Sequence, residues 1–426
     1  MSKFQIILLG VFALFIVVAV FLFSFARGSS KNVYTVTVWG SISSHDFSQI
    51  INNTNLNQDK NIQIRYVEKS DSTIENDFTE ALAVGTGPDL IILPLDKFWI
   101  NKSKLLAIPY KSVSERDFLG TFIEESELYL DADGIYALPV SIDPMVLYYN
   151  RDHLSRAGIA KPLSYWDEIY STALKLTEKD PAGNITRSTI ALGEARNIPH
   201  FKSILSLLLL QAGTPITQLT PQGLVPVVSG SFNLPTAPGD SALDFYTQFS
   251  NPARPYYSWN RSLNSADTHF ISGDSAYYLG FASELRVLRG KNPTLNLGVA
   301  PVPQSRVSGK IETFGRMQGV SLARGTKNAS ASLTVALKLI SRDVSYEFAK
   351  QLLLPPPRRD LLEQEPEDAI ISVFYDSALQ ARGWLDPENT ATTLIFREMI
   401  ESVTSGRART SEATSKANRE LEALTK

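Results

Sequence analysis

Hydrophobic and polar positions in the first part of the chain predict strands separated by helices. Tyr34 to Trp39 alternates and is rich in Val and Thr, which is typical of a β-strand. Ile62 to Val67 and Asp89 to Leu93 predict two further strands. This alternation favours a largely parallel α/β sheet. Ligands of such sheets bind beyond the carboxyl ends of the strands, here near Trp39 to Ser41 and Pro94 to Lys97.

Helix starts are indicated by two capping-box spacings. Ser72 stands three residues before Glu75, and apolar residues at helical spacing follow. Ser164 stands three residues before Asp167, with Asp in place of the usual Glu, and predicts that a helix begins at Ser164.

The central and C-terminal parts of the chain continue the mixture of strands and helices. Val146 to Tyr149 predicts a strand that Asn150 ends, followed by a short helix from Arg151 to Ala157. From Ala329 onward the pattern is mainly helical. Further helices are predicted at Ile198–Leu210, Ser241–Phe249 and Ala329–Ile340, and short strands before Leu279, at Leu297–Pro301 and at Met317–Ser321.

The N-terminus contains an unbroken apolar run from Ile6 to Phe23. At a rise of about 1.5 Å per residue, this run is just long enough to cross a bilayer core of roughly 30 Å. A cleaved signal peptide is the alternative, although its apolar region is ordinarily about 7–15 residues long. The run therefore favours an uncleaved anchor over residues 1–27, followed by a short linker at Gly28 to Ser30.

Composition limits the class of protein without naming it. The chain has 426 residues, so two or more domains are expected, and 43% apolar with 20% charged residues is ordinary for a globular protein. The net charge is −3 without a basic cluster, which argues against nucleic-acid binding. There is no cysteine, and the four histidines lack metal-ligand spacing. No nucleophile elbow, P-loop or zinc-protease motif occurs, so we expect neither an enzyme nor a cofactor or metal.

The segment from Ala137 to Glu168, ALPVSIDPMVLYYNRDHLSRAGIAKPLSYWDE, carries a family resemblance. Its order of LP, LYYNRD, AGI and WDE resembles the central segment of the extracellular solute-binding proteins of sugar ABC importers, the group that includes maltose-binding protein. Segments at Gly87 to Phe98 and Phe270 to Pro303 are also similar to this family, and the resemblance extends over Val33 to Lys426.

The resemblance implies a two-lobed α/β fold of the periplasmic-binding-protein type II, with a hinge of several crossings. The expected lobes are residues 28–140 with 300–343, and residues 141–299 with 344–426. Crossings are expected near Val140–Pro144, Val299–Gln304 and Ser341–Ser345.

The resemblance also implies which residues line a ligand site between the lobes. Asp96, Lys97 and Asp143 match positions that contact sugar in the family, although a surface ion pair and an Asp-Pro turn would explain the same residues. Aromatic candidates have the alternative of packing in a core. The full set of expected binding residues is Trp39, Ser41, Asp96, Lys97, Asp143, Tyr257, Trp259, Gly280, Phe281, Arg316 and Trp384.

The expected function is therefore that of a membrane-anchored monomer on the extracytoplasmic face of a cell membrane. It would bind a mono- or oligosaccharide and deliver it to the permease subunits of an ABC importer. Two alternatives remain open. One is a receptor for ferric iron or a peptide, suggested by the paired Tyr256 and Tyr257. The other is a surface domain or a secreted glycan-acting enzyme on the same fold.

Overall fold

The computed structural model describes Ile16, Val18 and residues 33–307 and 309–426. The predicted anchor, apart from Ile16 and Val18, and the linker at Gly28 to Ser30 lie outside the described residues. Among the helices that the structure does describe, none combines the length and the apolar character needed to cross a membrane.

The described residues form one nine-stranded mixed sheet and three small hairpins. The strands are β1 Tyr34–Gly40, β2 Ile62–Glu68, β3 Leu90–Pro94, β4 Leu105–Leu106, β5 Leu130–Asp131, β6 Gly134–Ile135, β7 Leu138–Asn150, β8 Glu178–Lys179, β9 Ile185–Arg187, β10 Thr217–Thr220, β11 Gly223–Pro226, β12 Tyr277–Phe281, β13 Leu297–Ala300, β14 Thr313–Ala323 and β15 Ala381–Arg382. The sheet runs in the order β12-β7-β14-β3-β1-β2, with β13 beside β7, and β4 and β15 beside β14.

Helices cover both faces of this sheet. Their bounds are α1 Ser44–Asn53, α2 Ile74–Ala83, α3 Phe98–Asn101, α4 Glu115–Thr121, α5 Arg151–Arg156, α6 Glu168–Leu176, α7 Phe201–Gln211, α8 Pro238–Thr247, α9 Ala266–Ile271, α10 Leu285–Lys291, α11 Ala329–Leu339, α12 Arg342–Leu352, α13 Arg359–Leu362, α14 Ala369–Leu379, α15 Asn389–Thr404 and α16 Thr410–Leu424. As predicted, β1, β2 and β3 lie parallel with helices between them.

Strand β7 is much longer than its predicted core at Val146 to Tyr149. Its first half pairs with β14, whereas its second half pairs with β12 and β13. Proline lacks the N–H that a two-sided ladder requires, so it is tolerated where one edge of a strand is free. Pro139 and Pro144 both lie in the half that pairs on one side only. The strand therefore continues through both prolines and carries the chain from one lobe into the other.

Buried apolar side chains divide the molecule into two lobes. The first lobe is built around two clusters that include Val38 and Phe348, and Ile91 and Phe98. The second lobe is built around the largest cluster, which includes Leu147, Trp259 and Phe396. This is the expected two-lobed α/β architecture.

The chain passes more than once between the apolar clusters of the two lobes. One runs along β7, and a second joins the end of β13 to the start of β14. Near the third expected crossing, at Ser341 to Ser345, the chain still packs in the first lobe through Val344. The change of lobe comes later, because Leu352 packs against the first lobe and Leu354 against the second. Between them Leu353 ends α12 in the left-handed region, with a φ of 54°.

Both predicted capping boxes are wrong. Helix α2 begins at Ile74 after an uncapped Thr73, and the Ser72 hydroxyl bonds to the Ser70 hydroxyl instead, 2.8 Å away. Helix α6 begins at Glu168, whose carboxylate accepts the Ser164 N–H at 2.9 Å. A tight turn precedes each helix, so each helix begins after the residue that the predicted capping serine would have capped.

Candidate functional site

A cleft of about 480 Å³ lies between the two lobes, against the first half of β14. The first lobe contributes the ends of β1 and β3, and the second lobe contributes α7, the turn after β12 and the segment that precedes α15. The lining residues are Ser41, Ile42, Asp71, Pro94, Leu95, Asp96, Ser141, Asp143, Lys202, Ser203, Ser206, Ser283, Phe314, Gly315, Arg316, Met317, Gln318, Leu352, Leu354, Gly383, Trp384, Asp386 and Asn389. This location beyond the carboxyl ends of β1 and β3 is the one expected for a parallel sheet.

Asp143 forms a polar junction at the hinge. It lies on β7 directly opposite Arg316 of β14, whose Nη2 donates to Asp143 Oδ2 at 2.5 Å. Ser283 of the second lobe donates its backbone N–H to Oδ1 at 3.0 Å and its hydroxyl to Oδ2 at 2.8 Å. The Arg316 guanidinium lies 3.5 Å from the centre of the Phe281 ring. The carboxylate therefore joins both hinge strands to the second lobe.

A second polar network crosses the cleft. Asn389, at the start of α15, donates from Nδ2 to Asp96 Oδ2 at 2.8 Å. The Lys202 ammonium on α7 donates to Asn389 Oδ1, Asp386 Oδ2 and Thr392 Oγ1, each at 2.6 Å. Since Asp96 belongs to the first lobe and the other residues to the second, the hydrogen bond between Asp96 and Asn389 joins the two lobes.

Burial changes the acidity of the carboxyls around this cleft. Desolvation, together with repulsion from Asp386, raises the pKa of Asp96 to about 6, and Lys202 and Lys97 partly oppose that rise. Burial also raises the pKa of Asp386, against the stabilising contact with Lys202. Desolvation raises the pKa of Glu125, which lies beneath the cleft, to about 8.

Trp384 contributes an aromatic edge to the cleft rather than a free ring face. Its ring stacks on Phe396, with centroids 5.8 Å apart, and its Nε1–H donates to the Ser206 hydroxyl at 3.1 Å. Only 5% of the residue is exposed.

The structure brings together five of the residues expected from the sequence and places the other six outside the cleft lining. The five in the cleft are Ser41, Asp96, Asp143, Arg316 and Trp384. The six outside it are Trp39, Lys97, Tyr257, Trp259, Gly280 and Phe281.

Three of the outlying residues are aromatic side chains held elsewhere. Trp39 is 9% exposed in a first-lobe cluster, and the Lys69 ammonium lies 4.1 Å from its ring centre. Trp259 is fully buried and donates to Asn197 at 3.1 Å. The Tyr257 hydroxyl accepts from Asn260 at 2.7 Å.

The other three outlying residues act one step behind the lining. Lys97 pairs with the lining residue Asp71 at 3.3 Å. Gly280 leaves room for the carboxylate of Glu284, which accepts the Phe281 N–H at 2.7 Å. The Phe281 ring in turn supports Arg316.

Sequence reasoning missed several polar lining residues, notably Asp71, Lys202, Ser206, Asp386 and Asn389. A signal was available for two of them. Lys202 and Ser206 are four residues apart in a mainly apolar helix, so they share one face and place polar groups on it. Asp386 and Asn389 follow Trp384 just before a helix, a pattern that resembles an ordinary helix start.

Comparison with known proteins agrees with this fold. The model of the family described as bacterial extracellular solute-binding protein matches residues 54–370. A binding protein of Brucella abortus (strain 2308) is 32% identical over 99 residues, which cover 23% of this chain and 24% of that protein. The match thus spans about a quarter of the length of the curated relatives.

Solved structures are similar over nearly the whole chain. A cyclo/maltodextrin-binding protein complexed with maltotetraose has a TM-score of 0.73 at 16% identity, covering 91% of this chain and 96% of that one. The cyclic alpha-maltosyl-1,6-maltose binding protein of Arthrobacter globiformis also has a TM-score of 0.73, at 17% identity, with 92% and 98% covered. At these identities the structures establish the fold. The family match over most of the chain establishes more: the chain belongs to the bacterial extracellular solute-binding proteins.

Proposed function

We propose that this protein is an extracytoplasmic receptor of an ABC importer and that it binds a carbohydrate between its lobes. The observation that carries the proposal is the cleft itself, where carboxylates, hydroxyls and an amide from both lobes converge beside the edge of Trp384. Sugars present many hydroxyls that require polar partners, and they also present apolar C–H faces. One structural neighbour is a cyclo/maltodextrin-binding protein in complex with maltotetraose, and the other is a cyclic alpha-maltosyl-1,6-maltose binding protein.

The polar side chains of the cleft would each make a different contact with the sugar. Asp96, Asp143 and Arg316 would accept from or donate to sugar hydroxyls, while Ser41 and the serines of α7 would complete the polar lining. Trp384 would contact a C–H edge of the sugar. Trp39, Lys97, Tyr257, Trp259, Gly280 and Phe281 would act by supporting the lining, since they lie behind it or elsewhere in the lobes.

Binding between lobes would couple the ligand to a hinge motion. Each lobe offers only part of the contacts, so a ligand that touches both lobes favours the closed arrangement. In the proposed cycle, the closed monomer is recognised by a membrane permease, which takes up the sugar. The N-terminal apolar run would tether the receptor to the membrane as a single-pass anchor. The lobe boundaries would lie near residues 140 and 299, as expected, and near Leu353 instead of the expected residue 343, because Leu352 packs against the first lobe and Leu354 against the second.

A thermal-shift screen of the purified full chain tests this proposal. The detergent that keeps the N-terminal run in solution must lack a sugar headgroup, because a maltoside could compete for the cleft. Mono- and oligosaccharides form the test panel, with ferric iron and peptides as controls. A ligand at about 100 times its dissociation constant stabilises the fold by roughly 2.7 kcal/mol. A sugar that raises the melting temperature of the wild type, but not of Asp143→Ala, is the expected result.

The control ligands distinguish the alternative functions from the proposed one. If only ferric iron raises the melting temperature, and a visible charge-transfer colour appears, the ligand is ferric iron and not a sugar. Neither tyrosine of the suggested pair lines the cleft, and the Tyr256 hydroxyl donates to Gln248 at 2.7 Å. A shift with peptides alone would make this a peptide receptor, and breakdown of a glycan by the purified chain would make it an enzyme.

A further inference from the structure

The network around Asp96 fixes how its carboxylate is presented. Lys202 has only N–H donors, so the Asn389 atom that faces it must be the oxygen, Oδ1. The Asn389 amide nitrogen then faces Asp96 and donates to Oδ2. The orientation of the amide is thereby set from the second lobe, and one oxygen of Asp96 is held.

The other oxygen of Asp96 has no partner. Oδ1 is enclosed and accepts no hydrogen bond from any residue in the described part of the chain, although Asp96 lines the cleft. An enclosed carboxylate oxygen without a donor costs free energy, because the water that it gave up is not replaced. A ligand that brings a donor to Oδ1 would remove this cost.

Asp96 differs from the other three carboxylates of the cleft lining because no cation among the described residues is paired with it directly. The lining holds four aspartates and two cations. Lys202 directs its three protons at Asp386, Asn389 and Thr392, so its charge is matched by Asp386. Arg316 is paired with Asp143, and Asp71 with Lys97. Asp96 is the lining carboxylate to which the described residues supply an amide but no direct ion pair.

We propose that the carbohydrate bound in this cleft carries a positively charged amino group, and that Asp96 Oδ1 accepts a hydrogen bond from it. The inference rests on the proposed function and narrows its ligand to amino sugars. An ammonium supplies both the missing donor and the missing positive charge, whereas a hydroxyl supplies only the donor. Asn389 is the positioning residue, since it holds Oδ2 and leaves Oδ1 as the carboxylate oxygen without a donor among the described residues.

Titration calorimetry on the full chain tests this inference with ligands that differ only in the amino group. The probes are the β-1,4-linked di- and trisaccharides of glucosamine, of N-acetylglucosamine and of glucose, together with α-1,4-linked glucose oligosaccharides of the same length. Acetylation removes the charge but keeps the nitrogen. At pH 7 we expect the free amines to bind at least about 30-fold more tightly than their neutral counterparts, the range for a hydrogen-bonded charge pair.

Two matched variants locate the effect. Asp96→Asn removes the charge with little change of shape, and it should abolish the preference for the amine while neutral sugars still bind. Asp77→Asn removes a first-lobe carboxylate that lies outside the cleft lining and is paired with Lys69 at 2.8 Å, and it should keep the preference. Melting curves of both variants verify that each is folded.

The pH dependence gives a readout that a purely structural role would not move. Asp96 faces Asp386, Asp71, Lys97, Lys202 and the phenol of Tyr129. Because its pKa is about 6, protonation between pH 7 and pH 5 removes its charge, and the preference for the amine should shrink over that interval.

Each result of the titration has one meaning. If neutral and amine-bearing sugars bind equally, the amino-sugar inference is overturned and the carbohydrate receptor stands. Equal binding of the amine by the wild type and Asp96→Asn would also overturn it. If no carbohydrate binds, both the inference and the proposed function fall.

Discussion

At the residue scale, Glu125 is a buried acid next to the cleft. It is 1% exposed, and neither carboxyl oxygen is hydrogen bonded within the described structure. Its oxygens occupy the space where Gly315 and Gly383 would carry a Cβ, directly behind the lining of the cleft. Any side chain at these two glycines would collide with the carboxyl group, so the three residues form one unit.

Replacing Glu125 with Gln should change how stability depends on pH. A raised native pKa means that the native state holds a proton that the unfolded chain has released. The free energy of unfolding of the wild type therefore falls as the pH rises from about 4.5 to about 8. Glu125→Gln has no proton to lose, so its stability should fall less over this range, with a difference on the order of a few kcal/mol.

Urea unfolding at pH 5 and pH 8 measures this difference, and Glu127→Gln is the matched control on the same turn. Glu127 is exposed, so its substitution should leave the pH dependence unchanged. Parallel curves for the wild type and Glu125→Gln would contradict the assignment of a neutral buried acid.

The sequence predicts which candidate side chains could bind a ligand, but it does not predict whether each of them points into the cleft. Asp143 was identified through a resemblance and Arg316 through its place after Gly315 in the returning segment. The register of β7 against β14 brings them together. Trp39 and Trp259 carry the same chemical signal as Trp384, but they point into the lobes. A sequence gives the type of a side chain, whereas the face on which a tryptophan lies depends on packing from elements far away in the chain.

At the element scale, helix α15 connects the cleft to the second lobe. Its N-cap is Glu388, whose carboxylate accepts the N–H groups of Thr390 at 2.8 Å and Ala391 at 2.6 Å. Asn389, the next residue, forms the hydrogen bond between the lobes. The cap that fixes the start of this helix therefore also fixes the position of Asn389.

Glu388→Ala should destabilise the protein by about 1 kcal/mol, because two N–H groups at the helix start lose their acceptor. Leu394→Ala on the same helix, where the residue is 58% exposed, should change stability by less than about 0.5 kcal/mol. Thermal unfolding of both variants measures the contrast. Equal losses would mean that the carboxylate does not serve as a cap.

Elements were predicted well where one local pattern decides them, and less well where partners decide them. The alternating β1 was predicted within one residue of its observed end. Only the last part of β7 was predicted, because prolines end most strands. The free edge beside Pro139 and Pro144 comes from the arrangement of distant strands, which no local pattern contains.

At the scale of the whole molecule, the hydrogen bond between Asp96 and Asn389 should bias the two lobes toward closure. Asn389→Ala removes it and leaves a buried carboxylate without its donor. Losing a hydrogen bond to a charged group costs about 1.5–3 kcal/mol, so ligand affinity should fall at least about tenfold. Small-angle scattering of the free variant should give a larger radius of gyration than the wild type.

Thr390→Ala is the matched control for this change, since its exposed side chain is the next one along the same helix. It should leave both affinity and radius of gyration unchanged. If the radius of gyration and the ligand affinity are unchanged in Asn389→Ala, this hydrogen bond does not contribute to lobe closure.

Titration calorimetry with the sugar that most raises the melting temperature tests the claim that a carbohydrate binds between the lobes. The predicted result is one binding site per chain with a dissociation constant around micromolar, about −8 kcal/mol. Asp143→Ala should weaken this binding at least about tenfold while the chain remains folded, since its carboxylate joins both hinge strands to Ser283. Binding that is undiminished in folded Asp143→Ala, or no heat with any sugar of the panel, would contradict the claim.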